Sequence, residues 1–322
     1  MGVNKAERVG RKTVKAANGI LNLTVLTIII LLVSFASYAM WDSSQVYNAA
    51  DAAQYEIYKP RAEDGGKSFG ELQAVNPEVC SWLTVYGTNI DYPVTQGEDN
   101  MKYVNTNAEG GYSLSGSIFL DSGNSRDFSD FNSIIFGHHM EKQTMFGEIG
   151  LFSDEGYFDA RPYGNLYYAG RNHGLEFFAF VHADAYDSSV FAAGVTGREQ
   201  QQAYLDGLLE KATFTRDIGV TVKDRIVLLS TCSSQSTNGR DILAARITDE
   251  LFNDAFKTTE INNTGTQPEA DGQRSAWVNI PAWLWIALSF LVAIIILSIV
   301  IYHKRKHIRR TRAENENKQK EQ

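Results

Sequence analysis

Two uncharged apolar runs, residues 20–40 and 282–302, constrain this chain more than any other feature. As helices rising ~1.5 Å per residue, each reaches across the ~30 Å hydrocarbon core of a bilayer. The second run opens on Trp283 and Trp285 and ends on a basic stretch, a setting that suits a membrane span and not a soluble core. The first has an alternative as the core of a cleaved signal peptide, with Ser37, Tyr38 and Ala39 as a small-residue cleavage site. Its apolar part exceeds the ~7–15 residues usual for such a core, so an uncleaved anchor is expected.

Charge then orients the chain. Lys5, Arg8, Arg11, Lys12 and Lys15 precede the first run, and Lys304, Arg305, Lys306, Arg309, Arg310 and Arg312 follow the second. Positive flanks stay in the cytoplasm, so both termini are expected inside and the middle of the chain outside. The organisation that follows is a basic tail over 1–19, a transmembrane anchor at 20–40, a helical lead-in over 41–75 and a main domain over 76–258. A flexible tether over 259–280, rich in Asn, Thr, Gly and Gln, then leads to a second transmembrane helix at 281–303 and a tail over 304–322. The external part, residues 41–280, carries 17 Lys and Arg against 34 Asp and Glu. A domain that acidic is a poor partner for nucleic acid or an anionic membrane surface.

From residue 78 onward, short segments rich in β-branched and aromatic residues recur between Gly, Asn and Asp clusters: SWLTVYG, IDYPV, GSIFLD, NSIIFG, GNLYYA, LEFFAFVHA, DRIVLLST and DILAARIT. Strands that dense, without long helices between them, predict a closed or partly closed β-barrel, an all-β class with added helices. One helical insert stands out at 197–211, where apolar residues fall at 204/205 and 208/209 among charges.

The candidate chemistry sits at strand ends. In DRIVLLSTCSSQSTNGRDILAARIT, Cys232 closes one apolar strand and Arg240 opens the next, so an antiparallel pair joined by a loop brings both to its base. A thiolate is a strong nucleophile, and a nearby guanidinium favours the anion and can donate to an oxyanion. Taken alone, the pair reads more readily as a half-buried Cys at a strand end beside an Arg that solvates a turn. A second apolar strand ends at Gly137 and is followed by His138 and His139; adjacent residues of extended chain face opposite ways, so one at most belongs to a site. A neutral imidazole there can exchange protons with a thiol or an amine. Surface histidines, or metal ligands shared with His173 and His182, are the alternatives, but the spacing of a zinc site is absent. The other cysteine, Cys80, lies in a period-2 apolar segment, VCSWLTV, where a thiol behaves as a small hydrophobe; a disulfide with Cys232 stays open at this level.

Together these motifs resemble the sortases, and GTNIDYPVTQGEDNMKYV, GSIFLD, FGHHMEKQTMF and LSTC, in that order, resemble class B in particular. The resemblance runs from about residue 76 to residue 248. It implies an eight-stranded sortase barrel with N-terminal helices and a helix in the loop before the nucleophile strand. It implies Cys232 as the acylated nucleophile, His138 as the acid/base and Arg240 as the oxyanion-side cation, with Ser230 and Asn105 against substrate. The implied activity is a cysteine transpeptidase that cleaves a C-terminal sorting motif of exported proteins at a Thr carbonyl. The acyl group passes to an amine, a peptidoglycan precursor or a pilin Lys, with no metal and no organic cofactor. Two departures bear on the acceptor. A second span is commoner among pilin-polymerising sortases, yet residues 41–75 lack the Asp-Pro-aromatic lid usual in class C. A hydrolytic cysteine protease and a non-catalytic peptide-binding module are the rival readings.

Overall fold

A computed structural model describes residues 5–61, 65–232 and 238–257. The tether, second membrane helix and final tail expected over 259–322 lie outside the described residues. Helix α1 covers Lys5–Ala49. The helical run Val9–Tyr58 holds an 18-residue window of mean hydropathy 2.4 with none of it buried, long and apolar enough to cross a membrane. Its hydroxyls do not stay bare: Thr24 and Thr27 donate to carbonyls four residues back, at 3.0 and 2.9 Å.

Every strand among the described residues lies in a second compact unit, Val46–Ala270. After α1 comes a 3-10 turn, Ala52–Tyr58, capped by the Asp51 carboxylate on the Ala53 N–H, and then α2, Lys67–Val75. The sheet follows as β1 Val79–Val85, β2 Asp91–Thr95, β3 Ile118–Leu120 and β4 Asn132–Phe136. Helix α3, Glu155–Ala160, precedes β5 Tyr163–Tyr168 and the long β6 Arg171–Asp184. Helix α4, Arg198–Glu210, leads to β7 Ala212–Thr215, β8 Arg225–Cys232 and β9 Gly239–Thr248. The insert expected at 197–211 is α4.

The strands order as β5-β1-β2-β3-β4-β8-β9-β6, and a β5–β6 pairing closes this ring of eight. That is the expected barrel. A ninth strand, β7, was not legible as one; it pairs with β6 outside the ring, at Phe180↔Phe214. The edge of β6 that pairs with β5 over residues 171–176 passes to β7 over residues 179–181. Two pairings are parallel, β2 with β3 and β4 with β8, so the barrel is mixed.

Alternation sorts the side chains. Val227, Leu229, Leu243 and Ala245 join the core inside the ring, while Ile226, Leu228, Ile242 and Ala244 join a second core with Tyr204, Leu205 and Leu208 of α4. Both faces of β8 and β9 are therefore buried, which is why those segments read as unbroken apolar runs. On β6 a register shift between Phe177 and Ala179 changes the phase, so Leu175 and Phe177 but then Phe180 face the inner core.

Candidate active site

The site is built where β4, β8 and β9 lie side by side. β4 runs parallel to β8 with Phe136 opposite Ser230, and the Gly137 N–H donates to the Ser230 carbonyl (3.1 Å). Two residues beyond that pair stand His138, just past the end of β4, and Cys232, the last residue of β8. β9 runs antiparallel to β8 with Cys232 opposite Arg240. The backbone thus brings Cys232 and Arg240, paired on β8 and β9, and His138, two residues past β4, to one end of three neighbouring strands.

His138 is half-buried, and its Nε2–H donates to the Val104 carbonyl at 3.0 Å. A carbonyl only accepts, so Nε2 carries the proton and Nδ1 is the accepting nitrogen of the neutral ring. Val104 ends a 3-10 turn, Lys102–Val104, and Asn105 follows it, exposed, its carbonyl accepting from the Ser113 N–H (3.0 Å). The segment carrying Asn105 is therefore beside His138. Arg240 is half-buried, with Nη1 donating to the Gly239 carbonyl at 3.1 Å. Ser230 is 1% exposed, and its Oγ has no partner among the described residues. A buried hydroxyl left so has hydrogen-bonding capacity to offer.

Gly137 earns its place by contact: a Cβ there would meet the Phe146 ring at 2.7 Å, and the Phe146 N–H donates to the His138 carbonyl at 3.0 Å. His139 forms an isolated bridge with Met145, and its buried Nδ1 has no partner among the described residues. The two histidines have different neighbours, Val104 for His138 and Met145 for His139. His182 Nδ1 lies 2.9 Å from the buried Asp241 carboxylate, and His173 stacks on Tyr168 at 3.8 Å. Burial, with Arg171 nearby, holds the His173 imidazole below its ordinary pKa. Among the described residues no three His, Cys, Asp or Glu side chains gather to hold a metal ion. Cys80 is a free thiol with its S–H directed at the Val94 carbonyl, and burial pushes its pKa up to about 12. A thiol so held is protonated at neutral pH and unsuited to attack.

Sequence reasoning missed an aromatic row beside this site. Phe136 stands 5.5 Å from Phe119 and 6.2 Å from Phe191, the latter from the β6–α4 loop, which together form an apolar shelf across β3 and β4. The alternation of β4 puts Phe136 in phase with His138, a signal present in NSIIFGHH. Phe191, 53 residues further on, carried no such signal.

No family model matches the chain. It is 31% identical over 179 residues to sortase B of Listeria monocytogenes serovar 1/2a, covering 55% of this chain and 72% of that one. Among solved structures it resembles sortase B from the type II pilus of Streptococcus pneumoniae, at 48% identity and TM-score 0.51, over 56% of this chain and 99% of that chain. It also resembles a Streptococcus pyogenes class B sortase involved in pilus biogenesis, at 38% identity and TM-score 0.51, over 56% of this chain and 97% of that chain. A closed eight-stranded mixed barrel with the same added helices, and a matched span that runs through most of each relative, lead to one conclusion: this chain belongs to the sortase B family.

Proposed function

We propose that this protein is a membrane-anchored transpeptidase in which Cys232 attacks the Thr carbonyl of a C-terminal sorting motif on an exported protein. The single observation that carries the reading is the placement of His138, just past β4, at the same end as the Cys232–Arg240 pair of β8 and β9. In the first step the Cys232 thiolate adds to the carbonyl carbon. Arg240 donates to the oxygen that becomes negative, a contribution of about 3 kcal/mol for one well-placed donor. Protonated His138 gives its Nδ1 proton to the departing amine, leaving a thioester on Cys232. In the second step neutral His138 takes a proton through Nδ1 from the incoming amine, which attacks the thioester and releases the thiolate. The Nε2–H bond to Val104 holds the ring for both transfers. Ser230 and Asn105 contact the bound peptide, Ser230 through its hydroxyl, which has no partner among the described residues.

The acceptor is an amine of a wall precursor or a pilin Lys. The second is the reading favoured by two similar structures, one from a type II pilus and one from a sortase involved in pilus biogenesis. The catalytic domain lies outside the cell between two spans, at 20–40 and 281–303, with both tails in the cytoplasm. An anchored enzyme and a substrate with its own membrane tail share one surface, which raises their effective concentration.

The test is Cys232→Ala in intact cells, together with mass spectrometry of the wild-type product formed with an added amine. The variant is expected to keep its fold and lose all attachment, and the wild type to yield an acyl–amine adduct. Attachment by the variant would end the assignment of the nucleophile. A free carboxylate as the product despite excess amine would make the enzyme a protease.

A further inference from the structure

The segment that leaves α1, residues 46–58, touches both loops that flank His138. On one side lies the loop after β4. The Tyr47 hydroxyl donates to Glu141 Oε2 (3.1 Å), and the Lys142 ammonium sits 4.3 Å from the centre of the Tyr47 ring. The buried Tyr92 hydroxyl donates to the Ala50 carbonyl (2.8 Å) and accepts the Met145 N–H (3.0 Å), so one side chain ties the segment to the loop. On the other side lies the β2–β3 loop, whose Val104 carbonyl accepts from His138. There the Tyr55 hydroxyl accepts the Ala108 N–H (3.4 Å), and the Tyr58 hydroxyl donates to Glu109 (3.3 Å).

The loop so gripped is held in an unfavourable shape. Lys142, Gln143 and Met145 have φ of 58°, 59° and 52°, a left-handed backbone that side-chain-bearing residues seldom adopt. Such strain persists only where the surroundings over-determine it. The contacts from Tyr47 and Tyr92 fall on Glu141, Lys142 and Met145, within and beside this strained run.

We propose that residues 46–58, with Tyr92, are positioning residues for His138. They set the ring by bracing the loop that follows it and the loop that accepts its Nε2–H. The inference rests on the reading of His138 as the acid/base that partners Cys232. It assigns the exit from the anchor helix a part in the active site as well as in attachment.

The experiment uses the full chain in detergent micelles, with Tyr47→Ala, Tyr58→Phe, Tyr92→Phe and His138→Ala. Two readouts need no knowledge of the sorting motif: the pH profile of Cys232 alkylation by iodoacetamide, and the His138 ring tautomer by nitrogen-15 NMR. Tyr47 and Tyr58 are outside the sheet, so their variants keep the barrel even if Tyr92→Phe does not fold. The tyrosine variants are expected to change the alkylation rate at neutral pH by about threefold or more, and to replace the single Nε2–H tautomer with a mixture, as loss of ring orientation predicts. Wild-type profiles and tautomer in all folded tyrosine variants, beside an altered profile in His138→Ala, would overturn the positioning role alone. An unaltered profile in His138→Ala would overturn the reading on which it rests, and the proposal with it.

Discussion

With its Nε2–H given to the Val104 carbonyl, the neutral His138 ring has its lone pair on Nδ1, so a main-chain oxygen 34 residues upstream sets which nitrogen is left to accept a proton. Gly116 guards that oxygen. It sits at φ +58°, and a Cβ there would lie 2.4 Å from the Tyr103 carbonyl oxygen and 2.5 Å from that of Val104. Gly116→Ala is therefore expected to displace the Val104 carbonyl and lower kcat by about tenfold or more, since small misplacements of catalytic groups are costly. Steady-state kinetics beside a circular-dichroism melt checks this; an unchanged kcat in a folded variant counts against the role of Val104. His138→Ala is expected to lose about a hundredfold or more in transfer rate, whereas His139→Ala, on the bridge to Met145, stays within a few-fold. Equal losses in a transfer assay would remove the basis for separating the neighbours. The proposed choice between them rests on Gly137 and the two-residue period of extended chain. The Val104 partner was not, because nothing local ties KYVN to GHHM.

At the scale of elements, β8 and β9 were the most legible part of the molecule. Two apolar runs buried on both faces, separated by a polar stretch, define an antiparallel pair whatever surrounds them. β7 was the least legible: four residues, ATFT, half-buried at best, whose strand character comes from lying along β6. The loops at the barrel end carry a further testable charge. Glu148 is buried and accepts from the Asn89 N–H (2.9 Å) and side-chain amide (2.6 Å), joining the loop after β4 to the β1–β2 turn. Burial outweighs these bonds and raises its carboxyl pKa above the ordinary value. The folded state then binds more protons than the unfolded state between the ordinary and the raised pKa, so stability falls as pH rises through that window. Glu148→Gln removes the titration. The stability of the variant relative to wild type is expected to rise with pH across this window, in urea melts at several pH values. A difference independent of pH would mean that Glu148 is not the group responsible.

For the whole molecule, the governing facts are an apolar helix that meets the length of a bilayer and a barrel closed by β5 on β6. With residues 41–280 outside, as proposed, a protease added to intact cells should remove that segment and spare both tails, as antibodies to each tail would report. Digestion of either tail would overturn the two-span arrangement. Closure of the barrel also explains how eight strand segments scattered over 170 residues bring the candidate site residues together: the ring lays β4, β8 and β9 edge to edge although 88 residues separate the end of β4 from the start of β8.

Sequence alone settled what local physics controls. Apolar length marks the membrane-competent helix, two-residue alternation and β-branched runs mark the strands, and 3.6-residue spacing marks α4. Tertiary structure decided what depends on which segments become neighbours: the parallel pairing of β4 with β8, the attachment of β7, the carbonyl that orients His138, the aromatic row reaching Phe191, and the grip of residues 46–58 on the loops around the ring. Chain patterns report burial and periodicity, but hydrogen bonds between distant segments follow from sheet order and register, and no single stretch of sequence encodes those.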